Sequence, residues 1–145
     1  MTDDTPASVG IVVVSHSADV ADAAVVLVNQ LANLGDDGPR LVAAGGLEDG
    51  TIGTDAVRIA DAIRRADAGA GVVVMADLGS AVLSAFTAVE DLLDPGLAAR
   101  VAISGGPLIE GTFVAAVQAA AGDGLDGVRD AANDAAAMDK VGDGR

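Results

Sequence analysis

One histidine, no cysteine, and a few acids set beside glycines and hydroxyl residues are the reactive side chains this chain offers. The histidine, His16, closes the first apolar run, VGIVVVSHS, from Val9 to Ser17. A neutral imidazole is a good nucleophile toward phosphorus, and with an ordinary pKa near 6.5 roughly three quarters of such side chains are neutral at pH 7. It needs no auxiliary base. A carboxylate on one ring N–H would fix the tautomer and stabilise the imidazolium that forms. Asp77, ending the run VVVMA in VVVMADLGSA, is the candidate for that role, through a charge-assisted hydrogen bond worth about 1.5–3 kcal/mol. Spacing alone also allows plainer roles, with His16 as a loop hydrogen-bonding residue and Asp77 as the cap of a helix starting near Ser80.

A transferable phosphoryl group needs donors for its oxygens. The backbone N–H groups of Gly79 and Ser80 open a helix, whose amino end attracts phosphate. Ser15 and Ser17 flank His16, and Gly45, Gly46, Gly53 and Thr54 could form a second rim. By themselves these glycines also suit ordinary turns.

Other chemistries are excluded by what is missing. Without cysteine there is no thiol nucleophile, disulfide or Cys-ligated metal, and a single histidine makes a zinc site poorly supported. No GxxxxGK[ST] loop exists, since the only lysine, Lys140, stands far from any such glycine pattern, and neither GxGxxG after a strand nor GxSxG is present. A receiver domain would need an acidic cluster after the first strand and a late strand-end lysine. Neither is found. The net charge of −14 opposes nucleic-acid binding and favours a basic partner surface. Such acidity also suits a halophilic, high-salt cytoplasm, where screening weakens self-repulsion. With 1% aromatic residues there is no stacking platform. No run reaches the ~18 apolar residues of a membrane span, and the amino end lacks a basic leader, so a cytoplasmic protein is expected.

The elements that must position these residues follow from apolar patterning. Val9–Val14 and Gly71–Ala76 are short, largely β-branched runs that predict buried strands, and Arg40–Ala44 and Arg100–Ser104 are the second and fourth strand candidates. Between them lie helical periods. The first is Ala18 to Leu34, capped by Ser17 or Asp19, with Val20, Ala24, Leu27, Leu31 and Leu34 on its inner face. The second runs to about Ala68, capped by Thr54 or Asp55, with Val57, Ala60 and Ile63 inward. The third runs to about Leu93, with Val82, Phe86, Val89 and Leu93 inward, and is broken by Asp94, Pro95 and Gly96. Two more helices follow, about Gly111 to Ala121 and about Leu125 to Met138, the latter showing Leu125, Val128, Ala132 and Ala135. Strands alternating with helices predict an α/β three-layer sandwich around a central, mainly parallel four-stranded sheet. Residues 1–8 are expected to be a flexible leader, 9–140 one domain and 141–145 a tail.

Taken in order, VGIVVVSHS, then AAGG with GTIGTD, then VVVMADLGSA, then GGPLIEGTFVAAVQAAAG resemble the mannose-family IIA domain of the bacterial phosphotransferase system. Within it they are most similar to the phosphotransfer subunits of dihydroxyacetone kinase, the DhaM branch, and the likeness runs from Val9 to about Val128. The resemblance implies that His16 accepts a phosphoryl group from the phosphocarrier HPr, with Asp77 beside it. The group would pass to ADP held on DhaL, and the resulting ATP would serve DhaK in phosphorylating dihydroxyacetone. No metal or nucleotide is then bound by this subunit itself, and a homodimer is expected. Ser15 and Ser17 in SHS resemble the dihydroxyacetone branch, where sugar transporters of the mannose type usually show THG. Departures from the family pattern fall at Ser84, Ala85 and Phe86 and at Ile109 to Thr112, which bear on the partner surface more than on the chemistry. Some members carry HPr and enzyme I on the same chain; one domain here implies separate donors. The alternatives are a IIA component of a mannose-type sugar permease, or a regulatory module whose phosphorylation is read by a binding partner.

Overall fold

A computed structural model describes residues 7–142. Its strands are β1 (Gly10–Ser15), β2 (Leu41–Gly45), β3 (Val72–Ala76) and β4 (Val101–Ile103). The helices are α1 (Ala18–Ala32), α2 (Ala56–Ala66), α3 (Gly79–Thr87), the short α4 (Pro95–Ala98), α5 (Leu108–Ala120) and α6 (Leu125–Asp134). A wider π-type turn over Ala88–Leu92 extends α3, and a 3-10 turn over Ala135–Ala137 extends α6.

The sheet is entirely parallel, in the order β2-β1-β3-β4. Its two central strands are the most β-branched, and every residue of both is buried. Alternation along them splits the core. Val12, Val14, Val72 and Val74 face Ile59 and Ile63 of α2 and Ala81 and Ala85 of α3. Ile11, Val73 and Met75 face Val28 of α1, Ala115 and Ala119 of α5 and Val128 and Ala132 of α6. Three layers result, as the alternation of strands and helices predicts. After β1 the chain moves to one side of the sheet, and after β3 to the other. The carboxyl ends of β1 and β3 therefore meet where the strand order reverses, the usual ligand position in such sheets.

Helix faces depart from the expectation. Val20, Leu27 and Leu31 are 46%, 39% and 60% exposed; Ala24 is buried as expected, and its buried companions on α1 are Ala21 and Val28. The reason is distance: a Cβ on Gly45 would stand 2.7 Å from the Ala18 Cα and 2.8 Å from the Ala21 Cβ, so α1 lies too close to β2 for larger side chains. On the third helix Ala81, Ala85 and Ala88 are buried, the expected Val82, Val89 and Leu93 pack on the same core and Phe86 is exposed; on α2 the expected Ala60 and Ile63 are buried with Ile59, and Val57 is exposed. On α6 the expected Val128 and Ala132 are buried, as is Ala135 in the 3-10 turn that follows. The Asp94-Pro95-Gly96 break also starts α4, with Asp94 Oδ1 accepting the Leu97 N–H at 3.1 Å. Of the expected leader only Ala7 and Ser8 are described, and of the tail only Val141 and Gly142; residues 1–6 and 143–145 lie outside the described residues.

Candidate functional site

Parallel register sets Val14 opposite Ala76, and the Asp77 N–H donates to the Val14 carbonyl at 3.1 Å, carrying the pairing one residue past the end of β3. Asp77 thereby arrives beside His16. Asp77 Oδ1 lies 2.9 Å from His16 Nδ1 and accepts the Leu78 N–H at 2.7 Å. Asp77 Oδ2 accepts the His16 backbone N–H at 3.0 Å and the Ser15 hydroxyl at 2.9 Å. Burial pushes this carboxyl's pKa up, but the hydrogen bonds from the His16 backbone and ring, Ser15 and Leu78 outweigh it and hold the pKa below the ordinary value of 3.8. A carboxylate only accepts, so the imidazole proton sits on Nδ1. Nε2 then presents its lone pair, and the Ser80 hydroxyl donates to it.

The ring stays reachable, with 23% of the His16 side chain and 18% of the Asp77 side chain exposed. Ser80 stands in the first turn of α3, whose amino end has no side-chain cap. Such an end, with unclaimed backbone N–H groups, favours an anion. Gly79 opens that turn, and a Cβ placed on it would meet nothing within 4 Å. The Gly53 N–H donates to the His16 carbonyl at 2.9 Å and ties the loop after β2 to the histidine. The arrangement thus offers a neutral nucleophilic nitrogen, an acid to balance the imidazolium formed on attack, and neutral donors for phosphoryl oxygens.

The structure brings His16, Asp77, Gly79 and Ser80 together and gives the other candidates different surroundings. Asp77 does not cap α3, since its carboxylate is taken up by His16, Ser15 and the Leu78 N–H. Ser15 is buried with its hydroxyl turned to Asp77, away from any rim, because it still belongs to the sheet. Ser17 caps α1, its hydroxyl accepting the Val20 N–H at 3.2 Å. Gly45 provides the close approach of β2 to α1. Gly46, at φ 67°, donates its N–H to the Ser15 carbonyl, and the Thr54 hydroxyl bonds Ser84 at 2.6 Å. Each of these five thus has a structural partner or packing role of its own.

A groove of about 520 Å³ on the β4 side of Asp77 was not foreseen. Leu78, Gly79 and Val82 line one wall, and Ser104 to Pro107, Glu110 and Met138 line the other. Asn133 holds the β4 wall, its Oδ1 accepting the Ser104 hydroxyl at 2.7 Å and the Gly105 N–H at 3.2 Å. The serine and glycines after β4 resemble the Gly79-Ser80 pair after β3, which was the available signal. Among the described residues no three His, Asp or Glu side chains converge to hold a metal ion, and no helix is long and apolar enough to cross a membrane.

With this geometry in place, comparison with known proteins is decisive for the family. The family model EIIA-man, described as PTS system fructose IIA component, matches residues 10–129. The chain belongs to the mannose-type IIA family. Among curated relatives of this IIA domain, the PEP-dependent dihydroxyacetone kinase phosphoryl donor subunit DhaM of Klebsiella michiganensis is 45% identical over 122 residues, covering 83% of this chain and 25% of that protein. Its counterpart from Listeria innocua, named for kinase 2, is 39% identical over 110 residues, covering 76% of this chain and 85% of that protein. The chain spans about a quarter of the length of the first enterobacterial relatives but nearly all of the Listeria one. Among solved structures, a protein of unknown function, EF1359, superposes with a TM-score of 0.75 at 32% identity, covering 88% of this IIA domain and 94% of that chain.

Proposed function

We propose that this IIA domain is the phosphoryl carrier of a dihydroxyacetone kinase system, accepting the group on His16 Nε2 and handing it on. The observation that carries the reading is the pairing of His16 Nδ1 with Asp77 at 2.9 Å, which leaves Nε2 as the nucleophile at the uncapped start of α3. The names of the relatives, two of them nearly matched in length by this chain, support the dihydroxyacetone branch.

In the uptake step the Nε2 lone pair forms a bond to phosphorus as the bond between phosphorus and its donor, phosphorylated HPr, breaks. The donor keeps that electron pair. The imidazole retains its Nδ1 proton and becomes cationic, and the Asp77 carboxylate balances that charge. Gly79 and Ser80 N–H groups receive the phosphoryl oxygens, while the Ser80 hydroxyl gives up Nε2 and turns to an oxygen. Reversal of the same motions releases the group to ADP on DhaL, and DhaK then uses the ATP on dihydroxyacetone. Positioning and electrostatics supply most of what such a transfer needs. The reading carries with it a cytoplasmic location, no nucleotide or metal on this chain, and a homodimer.

The test combines labelled phosphoenolpyruvate, enzyme I and HPr with the wild-type chain and with His16→Ala. Label on the wild type alone, followed by dihydroxyacetone phosphate on adding DhaL, DhaK, ADP and dihydroxyacetone, is expected. Uptake of label by His16→Ala would overturn the role of His16. Passage to a sugar-permease IIB protein, with none to DhaL, would assign the domain to transport, and label retained by both routes would make it a regulatory module.

A further inference from the structure

Three polar side chains among the described residues are fully buried, and each must satisfy its hydroxyl or lose the free energy of desolvating it. Thr112 bonds the Leu108 carbonyl within its own helix, and Ser104 bonds Asn133. Ser15, 1% exposed, is the one whose hydroxyl reaches the histidine site. We infer that Ser15 is a positioning residue for phosphoryl transfer: its hydroxyl locks the plane of the Asp77 carboxylate so that Oδ1 faces His16 Nδ1 and keeps the ring in the Nδ1–H tautomer. This inference rests on the phosphocarrier reading of His16.

The hydrogen-bond directions leave Ser15 one choice. Its oxygen accepts the Ser17 N–H at 3.1 Å, so its own proton is free for Asp77 Oδ2, 2.9 Å away. The Ser17 N–H polarises that hydroxyl and strengthens its donation. A carboxylate on a single Cβ–Cγ bond turns broadly, because torsions ending on a planar group have wide minima. In Asp77 each oxygen has one local backbone partner, Leu78 N–H on Oδ1 and His16 N–H on Oδ2. The remaining donors are the ring itself and Ser15. Without Ser15, Oδ2 keeps only the His16 N–H, a donor on the same loop residue whose ring the acid must hold, and the sheet no longer contributes a donor to the carboxylate plane. Ser15 also sits on the sheet, as the last residue of β1 and paired with Gly45, so its hydroxyl is anchored to a central, fully buried strand. It further links the acid to the α1 cap, since the Ser17 that donates to Ser15 also accepts the Val20 N–H.

The experiment compares wild type, Ser15→Ala, Ser15→Thr and Ser17→Ala as full-length chains. Imidazole nitrogen NMR on the unphosphorylated proteins at neutral pH reads the tautomer ratio of His16, and uptake of label from phosphorylated HPr reads kcat and KM separately. Ser15→Ala is expected to shift part of the ring population to the Nε2–H tautomer and to lower kcat roughly tenfold, the order expected for one hydrogen bond to a charged group, with KM unchanged. The acid limb of its pH–rate profile should move upward, because Asp77 loses a donor to its charged form. Ser15→Thr, which keeps the hydroxyl, should restore both readouts, whereas Ser17→Ala should weaken the α1 cap and leave the tautomer ratio alone. A folded Ser15→Ala protein with the wild-type tautomer ratio and kcat overturns the inference. So does a change in KM alone. If the wild type takes up no label, the phosphocarrier reading fails instead, while the NMR arm still judges what Ser15 does to the ring.

Discussion

The carboxylate of Asp77 receives both the ring and the backbone of His16, the ring on Oδ1 at 2.9 Å and the backbone N–H on Oδ2 at 3.0 Å, across 61 residues of sequence. One acid thus fixes where the histidine loop lies and which way its imidazole turns. Asp77→Asn keeps the shape but puts an amide N–H₂ against donors and removes the balancing charge. We expect phosphoryl uptake to fall roughly ten- to a hundredfold, corresponding to about 1.5–3 kcal/mol for a charged hydrogen bond. Rapid-quench measurement of labelled protein checks it; an unchanged rate would leave Asp77 with only a loop-bracing role.

Acid should act on a second carboxylate in a way that separates stability from activity. Asp67, just after α2, takes both oxygens to Arg100, with Nη2 at 2.6 Å and Nε at 3.2 Å, and ties that helix end to the start of β4. The hydrogen bond from Arg100 holds the Asp67 carboxyl below its ordinary 3.8. With a folded-state pKa depressed below the unfolded one, its stabilisation is complete above the unfolded value and fades as pH falls through the folded value. Asp67→Asn should therefore melt earlier than wild type near neutral pH, and the gap should close in strong acid. Thermal melts across pH 2 to 7, followed by circular dichroism, give the comparison, and a gap that persisted at the acid end would contradict it.

Two glycines of the expected phosphate rim should behave in opposite ways. On Gly45 a Cβ would lie 2.5 Å from the Ser17 carbonyl oxygen and 2.7 Å from the Ala18 Cα, so Gly45→Ala must push α1 and the histidine loop aside. A loss of about 1–3 kcal/mol, typical of overpacking, is expected in denaturant titration. On Gly79 a Cβ meets nothing within 4 Å, and the residue is already helical. Gly79→Ala should leave stability unchanged or raise it by about 0.4–1 kcal/mol through the unfolded chain.

Leu78 and Leu83, 66% and 69% exposed at the edge of the site, contribute nothing to the core. If phosphorylated HPr docks there, Leu83→Ser should raise KM for it several-fold and leave the change in unfolding free energy within the small range usual for surface substitutions, about 0.5 kcal/mol. Steady-state uptake against donor concentration measures this. A fall in kcat at constant KM would instead place Leu83 outside the docking surface.

Much of this was legible in the chain itself. His16 and Asp77 each follow a run of buried β-branched residues, and a strand buried on both faces needs no partner to be recognised, because the run of Val and Ile is itself the signal. The order of strands and helices, and therefore the fold class, follows from the same local patterning. Helix orientation did not, since Val20, Leu27 and Leu31 have the right period for an inner face. Hydropathy ranks leucine above alanine, but where α1 approaches β2 closely at Gly45 there is room only for the smaller side chain of Ala21.

Spacing left Asp77 as either the partner of His16 or a helix cap, the family resemblance placed it beside His16, and the tertiary structure decided the adjacency physically. That β1 and β3 are neighbours, that Asp77 reaches His16 when it could have capped α3, and that Ser15 stands behind the acid and Ser80 in front of the ring all depend on the order β2-β1-β3-β4. Local sequence carries the propensity of each segment and the chemistry of each side chain. Which segments lie side by side is decided by packing between residues far apart in the chain, and the division of labour among Ser15, Ser17 and Ser80 is a consequence of that packing.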